Sequence, residues 1–90
     1  MTPAEMRAHL AEQDPDLLFA DGFDLALLGS VQRFNQTVAL YDRQKCIQVL
    51  MGRDGMTEEE AEEFFEFNVV GAFVGDYTPA FATLLKTEQP

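Results

Sequence analysis

Glutamate dominates one short segment of the chain, and its carboxylates are the first candidates for chemistry. Six glutamates fall within residues 58–66. Paired carboxylates catalyse hydrolysis when they share a cleft that gives the two acids different environments. A chain of 90 residues leaves little room for such a cleft, and the number of acids singles out no pair. The segment therefore predicts an exposed or binding surface, and no catalytic residue is predicted.

Few other residues are suited to metal binding or nucleophilic catalysis. His9 and Cys46 are the only histidine and cysteine, too few for a zinc site without carboxylates. We expect His9 on the surface and Cys46 in the core as a small hydrophobic residue, although a Cys–His pair stays a geometric alternative. The segment around Gly55 is similar to a calcium loop with Gly55 at its sixth position. Three ligand positions of such a loop then lack side-chain oxygens: Leu50, Gly52 and Ala61. No metal or cofactor is predicted.

The charge balance restricts the class of partner. Sixteen acidic residues against six basic ones give a net charge of −10. Nucleic acids and anionic membranes attract clustered lysine and arginine, so neither is expected to bind directly. A protein with a basic surface is the expected partner. A single cysteine, no apparent signal peptide and no long apolar run predict a cytoplasmic protein without a membrane span.

Capping signals predict two helices. A Thr-Pro pair at residues 2–3 places a hydroxyl at the N-cap and proline at the first helical position, which predicts a helix over residues 3–13. Asp42 is a good N-cap for a second helix over residues 43–54. Gly55 then ends that helix, because glycine adopts the left-handed conformation without steric cost.

A third helix is predicted over residues 57–72. Thr57 and Glu60 have the spacing of a capping box. At 100° per residue the inward stripe contains Thr57, Ala61, Phe64, Phe65, Asn68 and Ala72, and the opposite face contains Glu59, Glu63 and Glu66. We expect Asn68 to hydrogen-bond a neighbouring backbone segment, with a ligand-binding amide as the alternative.

The remaining segments predict strands. Residues 25–34 and 37–41 have the composition of a hairpin, with a turn at 35–36 and either a bulge or a close backbone approach at Gly29. Residues 80–85 are predicted to add a third strand, with a short helix as the alternative, because an isolated hairpin is marginal.

These elements predict an α+β fold: a two- or three-stranded antiparallel sheet packed against two to three helices. The chain is expected to form one domain over residues 1–90, with its sheet and helix core over 17–85. The predicted core consists of Leu27, Val31, Val38, Leu40, Ile47, Leu50, Phe64, Phe65 and Ala72.

Two surfaces of the third helix are candidates for binding. Helical neighbours about 6 Å apart match the spacing of phosphates along a nucleic-acid strand, so an acidic row can imitate a phosphate backbone. The candidate partner-binding residues are Glu58, Glu59, Glu62, Glu63 and Glu66, with a merely solvated face as the alternative. In the second half of the helix, three apolar residues lie off the main stripe: Phe67, Val70 and Phe73. These side chains are expected either to be buried in the monomer or to form a self-interface.

Several short motifs resemble a family of small uncharacterised proteins encoded by tailed bacteriophages. They are DGFD at 21–24, YD at 41–42, KCI at 45–47, LM at 50–51, DGM at 54–56, EFNVVGAFVG at 66–75 and TP at 78–79. The resemblance covers roughly residues 17–81 and is most specific in the segment EFFEFNVVGAFVG. It implies action in the cytoplasm of an infected bacterium and brings no known activity.

The sequence thus predicts a small acidic binding protein without catalytic activity. Small acidic phage proteins often inhibit host systems, so the expected partner is a host protein with a basic surface, such as a CRISPR effector. The alternative is a self-associating structural or accessory phage protein, forming a homodimer through the apolar end of the third helix.

Overall fold

The computed structural model describes residues 1–86, which contain three helices and three strands. In chain order they are α1 (Pro3–Gln13), a 3₁₀ turn (Asp24–Ala26), β1 (Leu27–Arg33), β2 (Gln36–Asp42), α2 (Arg43–Asp54), α3 (Glu58–Phe65), a π-helical turn (Glu66–Val70) and β3 (Ala80–Ala82). The architecture is α+β, which confirms the predicted fold class.

The caps of α1 and α2 form as the sequence predicts. The Thr2 hydroxyl accepts a hydrogen bond from the Glu5 amide at 3.1 Å, and Pro3 opens the helix. The Asp42 carboxylate accepts from the Lys45 amide at 3.3 Å at the start of α2. Gly55 ends α2 in the left-handed conformation, with φ of +68°. Both helices have the predicted bounds.

The sheet has the order β1-β2-β3 and is mixed, which corrects the prediction of a purely antiparallel sheet. β1 and β2 form the predicted antiparallel hairpin. β3 instead pairs in parallel with β2, with Leu40 opposite Ala80 and Asp42 opposite Ala82. Parallel pairing needs a long connection that returns the chain to the same end of the sheet, and α2 and α3 supply that crossover.

The hairpin differs from the predicted strand bounds at both ends. Residues 24–26 form a 3₁₀ turn, so β1 begins at Leu27. The turn residues are Phe34 and Asn35, one position earlier than predicted, because Arg33 pairs with Gln36. The pairing is irregular between Leu27 and Gly29, which confirms the predicted bulge.

The buried core lies between the sheet and the helices. Its members are Leu10, Leu17, Phe23, Ala26, Leu27, Ala39, Tyr41, Cys46, Ile47, Leu50, Ala61 and Phe65. Phe65 is at its centre, 5.0 Å from the Phe81 ring and 6.3 Å from the Phe23 ring between centroids, both edge-to-face. The Tyr41 hydroxyl accepts a hydrogen bond from the Ala20 amide at 2.8 Å, which fixes the loop before β1.

Five residues of the predicted core are not buried. Val31, Val38 and Leu40 are only half-buried, Phe64 is 39% exposed, and Ala72 is exposed. The bulge explains the error at Val31: one extra residue reverses the alternation of faces, so Leu27 and Val31 lie on opposite sides of the sheet. Val38 and Leu40 share the side of Val31. Leu27 faces the helices together with Tyr41, and Val31 pairs with Val38 on the other side.

Candidate functional site

The acidic segment is held as a helix by a capping box. The Thr57 hydroxyl accepts a hydrogen bond from the Glu60 amide at 3.2 Å, and the Glu60 carboxylate accepts from the Thr57 amide at 2.9 Å. The hydrogen bond from the Thr57 backbone N–H is the main cause that lowers the pKa of Glu60, and the Thr57 side chain lowers it further. Glu60 therefore has a structural role at the N-terminus of α3, where the helix dipole also favours its charge.

Two buried residues set the orientation of α3. Ala61 and Phe65 are fully buried, one helical turn apart, and turn that side of the helix toward the core. All five candidate partner-binding glutamates are exposed: Glu58, Glu59, Glu62, Glu63 and Glu66. Glu59 and Glu63 point most directly away from the buried side, as helical geometry requires. The structure thus brings the predicted carboxylates together on one solvent-facing surface, which we call the acidic face of α3.

The acidic face carries one internal ion pair. Glu66 accepts a hydrogen bond from the Arg43 guanidinium of α2 at 2.6 Å. Within residues 1–86, no salt bridge reaches the other four glutamates of the face. Their negative charge is therefore available to a partner, whereas part of the charge of Glu66 is neutralised by Arg43.

The second half of the predicted helix follows a different path. From Glu66 to Val70 the backbone forms a π-helical turn, which accommodates one more residue than an α-turn and rotates the side chains that follow. Val69 consequently packs against the core, where the α-helical pattern predicted Asn68. Asn68 is exposed and donates to the Phe64 carbonyl oxygen at 3.1 Å. It bonds its own helix and not a neighbouring segment, which corrects the prediction for this residue.

The apolar residues of the candidate self-interface are exposed. Phe67 is 79% exposed, Phe73 77% and Val70 42%, so these side chains do not fill the monomer core. Phe67 and Phe73 line two different grooves. The three residues are therefore solvent-facing without forming one continuous groove.

A large groove lies between the hairpin turn and the segment before β3. It has a volume of about 740 Å³, and most of its lining is apolar, including Val31, Phe34 and Phe73. Arg33 and Asp76 are its charged residues. Among residues 1–86, no cysteine, histidine or pair of acids lines it, so this groove shows no arrangement for acid–base catalysis.

His9 and Cys46 show no arrangement for catalysis. His9 is exposed on α1, whereas Cys46 is fully buried in α2. Burial raises the pKa of the Cys46 thiol to about 12, with a smaller contribution from the Asp42 carboxylate. A thiol held protonated in the core is a poor nucleophile and a poor metal ligand. Within residues 1–86, no group of three or more His, Cys, Asp or Glu side chains is placed to hold a metal ion.

The sequence interpretation missed how the arginines are used. Each of three arginines lies between a carboxylate and an aromatic ring. Arg7 donates to Asp24 at 2.8 Å and lies 4.8 Å from the centre of the Phe19 ring. Arg43 donates to Glu66 and lies 5.5 Å from the Phe65 ring. These contacts join residues far apart in sequence, so no local motif predicts them.

Arg53 completes the set. Its guanidinium pairs with Asp54 at 3.0 Å, donates to the Gly22 carbonyl oxygen at 2.9 Å and lies 5.4 Å from the Phe23 ring. The hydrogen bond from Arg53 also lowers the pKa of Asp54. Three of the six basic residues are thus paired with carboxylates of the same chain. This pairing leaves the surface more uniformly acidic than the composition alone indicates.

Comparisons with known proteins identify no relative. The chain matches no protein-family model, no curated protein sequence and no solved structure. In the described part of the chain, helices are too short and too polar to span a bilayer.

Proposed function

We propose that this protein acts without catalysis, by binding a basic surface of another protein through the acidic face of α3. The supporting observation is the exposure of Glu58, Glu59, Glu62 and Glu63 together, free of salt bridges within residues 1–86. A rigid helix presents these carboxylates at fixed spacing, which reduces the ordering cost of association. Electrostatic attraction to a basic protein then raises the association rate and selects the partner.

Under this proposal the partner is a bacterial host protein that binds nucleic acid. The acidic row imitates a phosphate backbone and competes for the surface that normally holds DNA or RNA. The resemblance to tailed-phage proteins supports a host target in the bacterial cytoplasm, and it makes inhibition of a defence protein, such as a CRISPR effector, the expected outcome. Neither nucleic acid nor a membrane is expected to bind the protein directly.

Capture from a bacterial lysate tests the proposal. The immobilised protein should retain a basic protein at low salt and release it as salt rises, because screening weakens contacts between exposed charges. The variant Glu59→Gln/Glu63→Gln should lose most of this capture. The matched control, Glu12→Gln/Asp16→Asn, removes the same charge from exposed positions outside α3 and should retain it. Equal loss in both variants would refute a specific role for α3.

Self-association is a second candidate function, favoured by the exposure of Phe67, Val70 and Phe73. Large exposed apolar side chains mark interaction sites when they lie close together. A dimer that dissociates on Val70→Asp or Phe73→Asp substitution would support this structural role. It would also remove the apolar end of α3 from the surface available to a host protein.

A further inference from the structure

A shallow groove lies beside the acidic face of α3 and combines aromatic rings with carboxylates. Its volume is about 420 Å³, and it is lined by Met56, Glu60, Glu63, Phe64, Phe67 and Asn68. The Phe67 ring is 79% exposed and the Phe64 side chain is 39% exposed. Glu63 and Phe67 line this groove together, which places a carboxylate and an exposed ring on one side of it.

The chain itself shows which side chain fits this combination. In three places it holds an arginine between a carboxylate and a phenyl ring: Arg7 with Asp24 and Phe19, Arg43 with Glu66 and Phe65, and Arg53 with Asp54 and Phe23. The distances from the guanidinium carbon to the ring centre are 4.8, 5.5 and 5.4 Å. Glu63 and Phe67 offer the same two groups at the surface, and no salt bridge to Glu63 occurs within residues 1–86.

We propose that the groove formed by Glu63, Phe64 and Phe67 binds an arginine side chain of the partner protein. The planar guanidinium stacks on the exposed Phe67 ring and donates to the Glu63 carboxylate. Lysine matches this pair less well, because its ammonium is a compact, strongly hydrated charge without a flat face. The inference rests on the proposed function and deepens it, since it selects arginine-rich surfaces among basic ones.

The residues that line and flank the groove favour the binding of a basic segment over an apolar one. Two of its lining residues are carboxylates, and the candidate partner-binding glutamates continue along the neighbouring surface of α3. A purely apolar segment would bury the Glu63 charge without a counterion, which costs free energy. A segment that carries arginine meets the ring and the carboxylate together and continues onto the acidic face with its other basic residues.

The affinities of two labelled peptides test this inference with the full-length protein. The peptides have the same length and charge, and one is arginine-rich where the other is lysine-rich. Fluorescence anisotropy at low salt should show tighter binding of the arginine peptide by about fivefold. Phe67→Leu should remove that preference while leaving lysine-peptide affinity nearly unchanged. Because Phe67 is largely exposed, the variant is expected to fold.

The matched control is Phe73→Leu. Phe73 is 77% exposed, close to the value for Phe67, but it lines the other groove. This variant should keep the full preference for arginine. Glu63→Gln should weaken both peptides, because it removes a charge that attracts either cation.

Three outcomes would overturn the inference. Equal affinities of the two peptides for the unmodified protein, with Glu63→Gln still weakening both, would reject the arginine site and leave the acidic face as a general basic-protein site. An equal loss of preference in Phe67→Leu and Phe73→Leu would show that the groove is not responsible. A dimer that blocks the peptides and depends on Arg33, an exposed arginine with no salt bridge within residues 1–86, would assign the groove to a second copy of this chain. Failure of the proposed function itself appears in the lysate capture, which uses no peptide.

Discussion

Phe34 is the residue whose backbone conformation is least expected from its type. Its φ is +54°, a left-handed value that a bulky side chain rarely adopts, and its ring is 87% exposed. The ring gains little from burial, and its contact to the Arg33 guanidinium, 5.7 Å from the ring centre, is at the surface. The hairpin therefore carries local strain at its turn.

Replacing Phe34 with asparagine should stabilise the protein. Asparagine tolerates the left-handed conformation and favours tight hairpin turns, so Phe34→Asn is expected to raise the free energy of unfolding by about 0.5–1 kcal/mol. Urea denaturation measures the change. Phe73→Asn removes a similarly exposed ring at a position without positive φ and should give no such gain. A destabilised Phe34→Asn variant would show that the ring makes a contact essential to the fold.

Cys46 should be chemically inert in the folded protein. Its thiol is fully buried and its pKa is raised to about 12, so a thiol reagent should label it only when the protein unfolds. The raised pKa also predicts alkaline instability: the unfolded state loses the thiol proton first, so stability is complete below about pH 8.5 and falls as pH rises toward 12. Burial also raises the pKa of the Tyr41 hydroxyl, so ionisation of Tyr41 likewise lowers stability as pH rises.

Labelling kinetics and unfolding curves against pH check this prediction. Cys46→Ala should reduce the loss of stability at high pH without removing it, because Tyr41 still contributes. Rapid labelling of the native protein at neutral pH would contradict the buried position of Cys46.

At the element scale, the N-terminal cap of α3 is the feature that holds the acidic face in place. Thr57→Ala removes the hydroxyl that accepts from the Glu60 amide and should lower the free energy of unfolding by about 1 kcal/mol. The pKa of Glu60 should rise only part of the way to its ordinary value, because the variant removes the smaller, side-chain contribution and keeps the larger one from the Thr57 backbone N–H. Since the folded pKa is lowered, the stabilisation is present at neutral pH and is lost as pH falls through that pKa.

Denaturant unfolding and an NMR titration of Glu60 measure the two effects. Thr83→Ala, at an exposed position after β3, serves as the control and should change neither quantity. An unchanged free energy of unfolding in Thr57→Ala would mean that the Thr57 hydroxyl does not cap α3 in solution.

Helices with local capping signals could be predicted from the sequence, and elements governed by tertiary contacts could not. Thr2, Asp42 and Gly55 act through hydrogen bonds and φ preferences within a few residues, so α1 and α2 have the predicted bounds. The direction of β3 depends on how α2 and α3 return the chain to the sheet, which its own residues do not specify.

The same distinction applies to the candidate site. The exposed glutamates follow from the helical period and could be predicted, because Ala61 and Phe65 mark the opposite side. The π-helical turn after Phe65 changes the phase of that period, so Asn68 was assigned to the wrong face. The arginine contacts with aromatic rings depend on the tertiary fold and had no signal in the sequence.

At the scale of the whole molecule, charge should keep the protein monomeric. The net charge is −10, and Arg7, Arg43 and Arg53 are paired internally, so two copies repel each other over most of their surface. Light scattering should give the mass of one chain at low and at high salt. A dimer that appears when salt screens the repulsion, and that Val70→Asp abolishes, would favour the self-associating alternative.

The central claim is that a defined face of α3, and not the total charge, binds basic proteins. The most direct test maps amide chemical shifts of the ¹⁵N-labelled protein during titration with the arginine-rich peptide. The account predicts saturable changes concentrated in residues 56–68, with little effect at Glu12 and Asp16, which are also exposed acids. Changes spread over all acidic segments in proportion to their charge would contradict it, because the peptide would then be bound by net charge alone.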